Sequence, residues 1–367
     1  MNPSVPLRRP ARLLVCGGAG FIGTNFIRLV LAEHPETIIF NLDALTYAGG
    51  LDNLAGLDEL HPGRHVLVRT DIRDRKGVAG AFALAEPDTV VNFAAESHVD
   101  RSIDDPILFV ETNVLGTAVL LEAARRAWGG RSDVRFHQVS TDEVYGSLGP
   151  DGLFREDTPY DPSSPYSASK AGADHLVRAW SRTYGLPVSS SNCSNNYGPW
   201  QFPEKLIPLM LVNALEEKPL PVYGEGGNIR DWLHVEDHCR AVWDILTLAP
   251  AGSSYNIGGG NEWTNLELVR LLCSRLDRLR PRRAGGYADL ITFVADRPGH
   301  DARYAVDGSR LRRELGWRPR FDFDRGLDCT IAWYLGHGDW LRAIREKKYA
   351  GGRLGRLDRE AEGGGRG

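Results

Sequence analysis

A short apolar run, residues 12–16, leads straight into Gly17-Gly18-Ala19-Gly20-Phe21-Ile22-Gly23 and a helix-like stretch, and Asp43 follows Gly23 by twenty positions. Strand, glycine turn, helix and distant acid, in that order, leave few folds open. Gly17, Gly20 and Gly23 permit a tight turn, a close approach of backbone to a pyrophosphate and close packing of helix on strand. The helix N-terminus offers free N–H groups and the positive end of its dipole. Asp43, at the end of a second strand, suits the hydroxyls of an adenosine ribose; its carboxylate would repel a 2′-phosphate, so the pattern points to NAD over NADP. A purely structural glycine turn is the competing reading, and it gives the acid no task.

β-branched and aliphatic runs recur at 12–16, 37–42, 65–70, 89–93, 134–140 and 188–191, and 21–33, 106–128 and 165–184 have the length and spacing of crossover helices. This alternation predicts an α/β fold, a Rossmann-type doubly wound parallel sheet forming an NAD-binding domain over residues 12–197. Shorter helices and Pro/Gly punctuation over 198–350 predict a smaller mixed α/β substrate-binding domain, some of whose segments return to the first domain. Residues 1–11 are expected to be a flexible N-terminus. Residues 351–367, with seven glycines in seventeen positions, are expected to be a disordered tail.

The 367 residues are 42% hydrophobic and 25% charged with a formal net charge of -4, which excludes disorder as the main state and leaves no basic field for a nucleic-acid partner. No uninterrupted run of about 18 apolar residues occurs and the first ten residues hold no apolar signal core, so neither a membrane nor export is expected. Cys16, Cys193, Cys239, Cys273 and Cys329 are odd in number and never spaced C-x-x-C, so no metal site or disulfide framework is expected, and a reducing cytoplasm fits.

Ser140-Thr141-Asp142-Glu143 closes the fifth strand, and Tyr166-Ser167-Ala168-Ser169-Lys170 opens a helix. Four apart, Tyr166 and Lys170 share a helix face, where an ammonium can lower the phenol pKa and make the tyrosine a base for a hydroxyl proton during hydride transfer. Alone, such a pair is usually solvated; behind a pyrophosphate loop and beside the hydroxyl of Thr141 it reads as catalytic. Alcohol oxidation gives Asp142 and Glu143 no task. Two carboxyls with separated pKa values can act as proton donor and acceptor, and an oxidised sugar carbon acidifies its neighbouring C–H, so the pair permits loss of water. Against this, neighbours on a strand face opposite ways, and acids at a strand end are often solvated or capping. Asp71, likewise, reads either as a helix N-cap or as a ligand residue at a strand C-terminus.

Taken together, G-G-A-G-F-I-G from Gly17, L-T-Y-A-G from Leu45, F-A-A-E-S-H-V-D-R-S from Phe93, S-T-D-E-V-Y-G from Ser140, P-Y-S-A-S-K from Pro165, N-C-S-N-N-Y-G-P from Asn192, F-P-E-K-L-I-P from Phe202, R-D-W-L-H-V-E-D-H from Arg230 and D-R-P-G-H-D from Asp296 make the chain resemble the dTDP-glucose 4,6-dehydratases of the extended short-chain dehydrogenase/reductase superfamily. The T-D-E triplet sets it apart from sugar 4-epimerases, which lack the acidic pair, and from the T-S-E of GDP-mannose dehydratases. The resemblance implies a redox-neutral lyase holding NAD. Tyr166, helped by Lys170 and Thr141, would take the C4 hydroxyl proton while hydride passes to the nicotinamide; Glu143 would remove the C5 proton and Asp142 would protonate the departing C6 hydroxyl, and return of the hydride to C6 with reprotonation of C5 would give the 4-keto-6-deoxy sugar.

By the same resemblance the cofactor contacts would be the loop Gly17, Gly20, Phe21, Ile22 and Gly23, then Asp43, Ala44, Leu45, Thr46, Asp71, Ile72, Ala94, Ala95, Ser97, Thr112, Tyr166, Lys170 and Asn196. Substrate contacts would be Ser97, Thr141, Asn195, Lys205, Leu206, Pro221, Tyr223, Arg230, Asn265, Arg297 and His300, with Lys205, Arg230 and Arg297 chemically suited to a pyrophosphate. A homodimer through the helices beginning near Pro106 and Pro165 is expected from the superfamily. A dehydratase of another nucleotide sugar (UDP- or CDP-glucose) or a 4-epimerase is the nearer alternative. A non-catalytic NAD-binding regulator is disfavoured by the presence of Tyr166, Lys170 and the acidic pair. Trp200 and the polar run Ser189 to Ser191 depart from the family's usual pattern.

Overall fold

The computed structural model describes residues 8–296 and 299–348. Thirteen strands occur among the described residues. The first six are β1 (Arg12–Cys16), β2 (Ile38–Asp43), β3 (His65–Arg69), β4 (Thr89–Asn92), β5 (Arg135–Thr141) and β6 (Val188–Cys193). The others are β7 (Asn195–Tyr197), β8 (Leu220–Tyr223), β9 (Ile229–His234), β10 (Ser253–Ile257), β11 (Glu262–Thr264), β12 (Ile291–Val294) and β13 (Arg303–Tyr304).

Seven strands form one parallel sheet in the order β10-β6-β5-β4-β1-β2-β3. The order reverses between β1 and β4, which opens a crevice beyond their C-terminal ends. On one face the helices Phe21–Glu33 and Val235–Leu248 bury Phe26, Ile27, Val30, Val242 and Ile245. On the other, Arg75–Ala85, Gly116–Trp128 and Pro165–Tyr184 bury Val78, Phe82, Leu120, Leu121 and Val177. Covered on both faces, β5 is buried at every position. The chain thus returns to this sheet after leaving it, since β10 and the Val235–Leu248 helix come from beyond residue 198.

The serine run of β6 is satisfied internally: Ser189 Oγ and Ser191 Oγ lie 2.9 and 3.1 Å from the two ring nitrogens of His137 on β5. Burial first, and the nearby charge of Arg135 second, push His137 down to about 3, so the ring stays neutral.

The second lobe holds β9 between β11 and β13, with β7 also paired to β9, and a separate pair of β8 and β12. Its own core gathers Ile207, Met210, Leu211, Trp232, Leu268, Leu272, Phe323 and Tyr334. Trp200 packs here, 4.9 Å from Trp333 and 5.7 Å from Trp340 between ring centroids, with the Arg28 guanidinium 4.5 Å over its ring.

The stretch Pro106–Trp128, though nowhere continuously apolar, is by average composition long and apolar enough to cross a membrane. Here it is the crossover between β4 and β5, interrupted by a π-helical segment, Val110–Leu115. The wide turn aims Asn113 at the strand-following loop: its side chain accepts from Glu96 N at 2.9 Å and donates to Glu96 O at 3.0 Å and Ser169 Oγ at 2.8 Å. The 351–367 tail, and Arg297 among the expected substrate contacts, lie outside the described residues.

Candidate active site

Three cavities sharing walls run along the C-terminal edge of the sheet into the second lobe. The first, about 380 Å³, is lined by Gly17, Gly20, Asp43, Ala44, Thr46, Asp71, Ile72, Ala94, Ala95 and Thr112. Gly17 has φ +80°, and a Cβ there would stand 2.6 Å from Ala94 N; a Cβ on Gly23 would stand 2.2 Å from Gly17 O. Neither glycine can be replaced without displacing backbone. Helix Phe21–Glu33 starts after Gly20 with no side-chain cap, which leaves its first N–H groups open to a ligand. Asp43 Oδ2 accepts from Ala19 N at 2.8 Å and Oδ1 from Leu45 N at 2.7 Å, so the carboxylate is fixed while each oxygen keeps acceptor capacity. A backbone cradle next to a fixed carboxylate fits a dinucleotide with a free 2′-hydroxyl. Leu45 lines none of the three cavities; it packs on the apolar core and contributes its N–H to holding Asp43. Asp71 caps no helix, since Asp74 accepts from Lys76 N as the N-cap of Arg75–Ala85; Asp71 instead accepts from Arg73 N at 2.8 Å.

In the second cavity, about 300 Å³, Phe21, Ile22 and Gly23 meet Ser97, Thr141, Asp142, Glu143, Tyr166, Lys170, Asn195 and Asn196. Strand alternation does not govern the acidic pair, because β5 ends at Thr141 and Asp142–Tyr145 form one 3-10 turn. Thr141 Oγ1 accepts from Glu143 N at 3.3 Å and lies 3.3 Å from Asp142 Oδ1. Asp142 is fully buried, and its Oδ2 has no hydrogen-bond partner. Burial, then the charges of Glu143 and Asp231, hold its pKa well above the carboxylate range, with Arg230 opposing. Glu143 is half-buried and faces both this cavity and the third.

A capping box between Ser164 and Ser167, with proline at the first turn, starts the Pro165–Tyr184 helix and so fixes Tyr166 beside the turn. Burial and Glu143 push the Tyr166 phenol above its ordinary range, against a hydrogen bond from Thr141. Lys170 is buried and donates to Val139 O at 2.8 Å; burial lowers its pKa while Asp174 raises it. In the protein alone, then, the phenol is raised and not lowered, because desolvation and an adjacent acid outweigh the hydrogen bond from Thr141.

The third cavity, about 360 Å³, is lined by Asn195, Lys205, Leu206, Pro221, Tyr223, Arg230, Asn265 and His300. Its two cations are held by backbone carbonyls: Lys205 Nζ donates to Ser97 O at 2.7 Å, and buried Arg230 donates to Ile229 O at 2.7 Å and Asp301 O at 3.0 Å. The Arg230 guanidinium lies 4.2 Å over the Tyr304 ring. Tyr223 OH donates to Asp100 Oδ2 at 3.0 Å, and His300 Nδ1 lies 2.6 Å from Asp296 Oδ1. Sequence reasoning passed over Glu204 and Tyr304. Glu204 lies between the second and third cavities, accepts from Tyr47 OH at 3.2 Å, and is raised by burial. Its signal was its place beside Lys205 in F-P-E-K; Tyr304, in no quoted motif, had none.

The family described as GDP-mannose 4,6 dehydratase matches residues 14–330. A dTDP-glucose 4,6-dehydratase of Neisseria gonorrhoeae is 56% identical over 332 residues, 88% of this chain and 95% of the relative. The chain belongs to the dTDP-glucose 4,6-dehydratase family. Another relative, a probable dTDP-glucose 4,6-dehydratase of Sinorhizobium fredii, is 54% identical over 95% of this chain and 99% of its own length. The structure of the dehydratase DesIV from Streptomyces venezuelae, solved with NAD bound, superposes with a TM-score of 0.83 at 48% identity, over 91% of this chain and 99% of that one. A UDP-glucose 4-epimerase of Thermus thermophilus, in complex with NAD, shares the fold with a TM-score of 0.78 at 30% identity, over 89% of this chain and 99% of that one. Family membership therefore comes with a fold that also serves epimerases.

Proposed function

We propose that the protein is an NAD-dependent hydro-lyase that converts dTDP-glucose into dTDP-4-keto-6-deoxyglucose and water. The observation that carries the reading is the contrast within one 3-10 turn that lines the second cavity: Asp142 is fully buried, with its pKa held well above the carboxylate range, whereas its neighbour Glu143 is half-buried. A proton donor next to a proton acceptor is what loss of water requires and what epimerisation does not use. When bound, NAD supplies reversible acceptance of a hydride and a positive nicotinamide ring that offsets the burial raising Tyr166.

Gly17, Gly20 and the first turn of helix Phe21–Glu33 bind the pyrophosphate, and Asp43 accepts from the adenosine ribose. Tyr166 Oη takes the C4 hydroxyl proton, oriented by Thr141, with Lys170 supplying positive charge to the phenolate. Glu143 removes the C5 proton, made acidic by the adjacent ketone, and Asp142 gives its proton to the C6 oxygen as that oxygen leaves; the double bond so formed between C5 and C6 would be saturated by return of the hydride to C6 and of a proton to C5, giving the 6-deoxy sugar. Lys205 and Arg230, already tied to carbonyls, meet the diphosphate without a further ordering cost. Incubation of the pure protein with dTDP-glucose should yield a product lighter by one water with a 6-methyl resonance; C4 inversion at unchanged mass would instead establish an epimerase.

The exposed apolar side chains of Ile103, Ile107, Val110 and Leu115, on the segment leading into the crossover helix, support a homodimer formed by that face, in a cytoplasm where the unpaired cysteines stay reduced. Light scattering should return twice the chain mass for the protein and a monomer for Ile107→Glu; a monomeric parent protein would discard the dimer.

A further inference from the structure

One turn beyond Lys170 on the same helix lies Asp174, which the chemistry above does not use. It is fully buried. Its Oδ2 accepts from Ser140 Oγ at 2.6 Å and from Tyr160 OH at 3.1 Å. Tyr160 OH must donate to Asp174, because it accepts from Arg178 Nη2 at 2.9 Å and Asn192 Nδ2 at 3.4 Å. Asn192 also donates to Thr141 O at 3.1 Å. The network thus grips both ends of the S-T-D-E segment, through Ser140 and through the carbonyl of Thr141. Asp174 Oδ1 has no hydrogen-bond partner; burial raises the carboxyl, while Lys170, the hydrogen bonds from Ser140 and Tyr160, and Arg178 each act to lower it.

We propose that Asp174 is a positioning residue of the reaction: it locks the S-T-D-E turn against the Pro165–Tyr184 helix through Ser140 and stands one helical turn from Lys170 as its buried counter-charge. This rests on the dehydratase reading and deepens it. The charged and titratable groups around the pair are few. Asp174 meets Lys170 and Arg178 from its own helix, Tyr160 from the preceding loop and Tyr145 from the 3-10 turn; Lys170 meets Asp174 and, from β6, Cys193. Burial pushes the Cys193 thiol up to about 12, which leaves Asp174 as the stronger acid of the two groups that oppose the burial of Lys170. Burial also lowers Lys170, with Asp174 opposing it. An ammonium that lost this partner would lose its proton at lower pH, and the Tyr166 phenolate would lose its support.

The test follows kcat and KM for dTDP-glucose from neutral to alkaline pH in the parent enzyme, Asp174→Asn and Asp174→Glu. Asp174→Asn should move the alkaline limb of kcat down by about one pH unit and reduce kcat about ten-fold at the parent optimum, with KM changed less than about two-fold. Asp174→Glu, which restores the charge, should return the limb toward the parent position. A limb that stays in place in Asp174→Asn, whatever happens to its melting temperature, overturns the proposal. If that variant does not fold, Asp174→Ser, smaller and equally neutral, carries the same test. If the parent protein fails to dehydrate dTDP-glucose, the functional reading falls; the counter-charge is then read from the Lys170 ammonium itself by lysine-resolved NMR titration, where an unchanged pKa in Asp174→Asn rejects it.

Discussion

Around the glycine turn, the first cavity is walled by backbone, Gly17, Gly20 and the uncapped start of helix Phe21–Glu33, with the Asp43 carboxylate beside them; side chains such as Asp71 and Thr112 line it farther along. The third cavity is lined by side chains collected from His98 to Tyr304, among them Lys205, aimed by Ser97 O, and Arg230, aimed by Ile229 O and Asp301 O. A turn made of backbone has no side chains to trim, so it responds to an added atom. A wall made of side chains responds to removal or exchange. Between them sits the 3-10 turn, where the distinction is between two neighbours, Asp142 fully buried and Glu143 half-buried.

The sharpest way to break this comparison is at the turn. Glu143→Gln should lower dehydration about 10³-fold while leaving NAD affinity unchanged, followed by product formation and by loss of solvent deuterium exchange at C5. An unimpaired variant removes Glu143 from the role of C5 base. For Tyr166→Phe the expected loss is about 10²-fold in C4 oxidation, read as absorbance of the reduced cofactor in a single turnover; full-amplitude formation at the parent rate would take the phenol out of the reaction. In the backbone site, Gly23→Ala forces a Cβ toward Gly17 O and should weaken NAD binding about ten-fold or more by calorimetry, whereas normal affinity would show that the turn can shift. Across the divide, Arg230→Lys keeps the charge but loses the fork held between Ile229 O and Asp301 O, and should raise KM for dTDP-glucose about ten-fold with kcat nearly intact.

The smallest effect is on stability. The folded pKa of Asp142 is raised, so the folded state binds its proton more tightly than the unfolded chain, and stability falls as pH rises from the ordinary carboxyl value toward the raised one. Asp142→Asn should therefore melt a few degrees higher than the parent, by about 3 °C near pH 8, with the difference vanishing in acid below the unfolded value. A variant that melts lower at pH 8 would mean that Asp142 is charged in the folded protein.

The Rossmann half was legible because each of its constraints is local. The glycine turn, the apolar runs and the spacing to Asp43 sit within 12–43, and β1, β2 and the Phe21–Glu33 helix follow those signals to within a residue. The polar run of β6 looked out of place for a buried strand because its explanation, His137, is on a neighbouring strand about fifty residues earlier. The acidic pair was visible as residues, but its unequal environments depend on where the strand stops, on burial and on the charges of Asp231 and Arg230, which pattern cannot show. Glu204 and Tyr304 escaped for the same reason, since their contacts to Tyr47 and Arg230 join residues far apart in sequence.

The chain's return to the large sheet sets a limit on how such a protein can be re-engineered. Because β10 pairs with β6, and the Val235–Leu248 helix covers the face shared with Phe26 and Val30, cutting near residue 198 would strip an edge strand and bare part of the core of the nucleotide half. The two lobes are not modules that can be exchanged between relatives. A new nucleotide or sugar preference has to be reached by replacing individual wall residues such as Tyr223 or Asn265, with the interleaved backbone left whole.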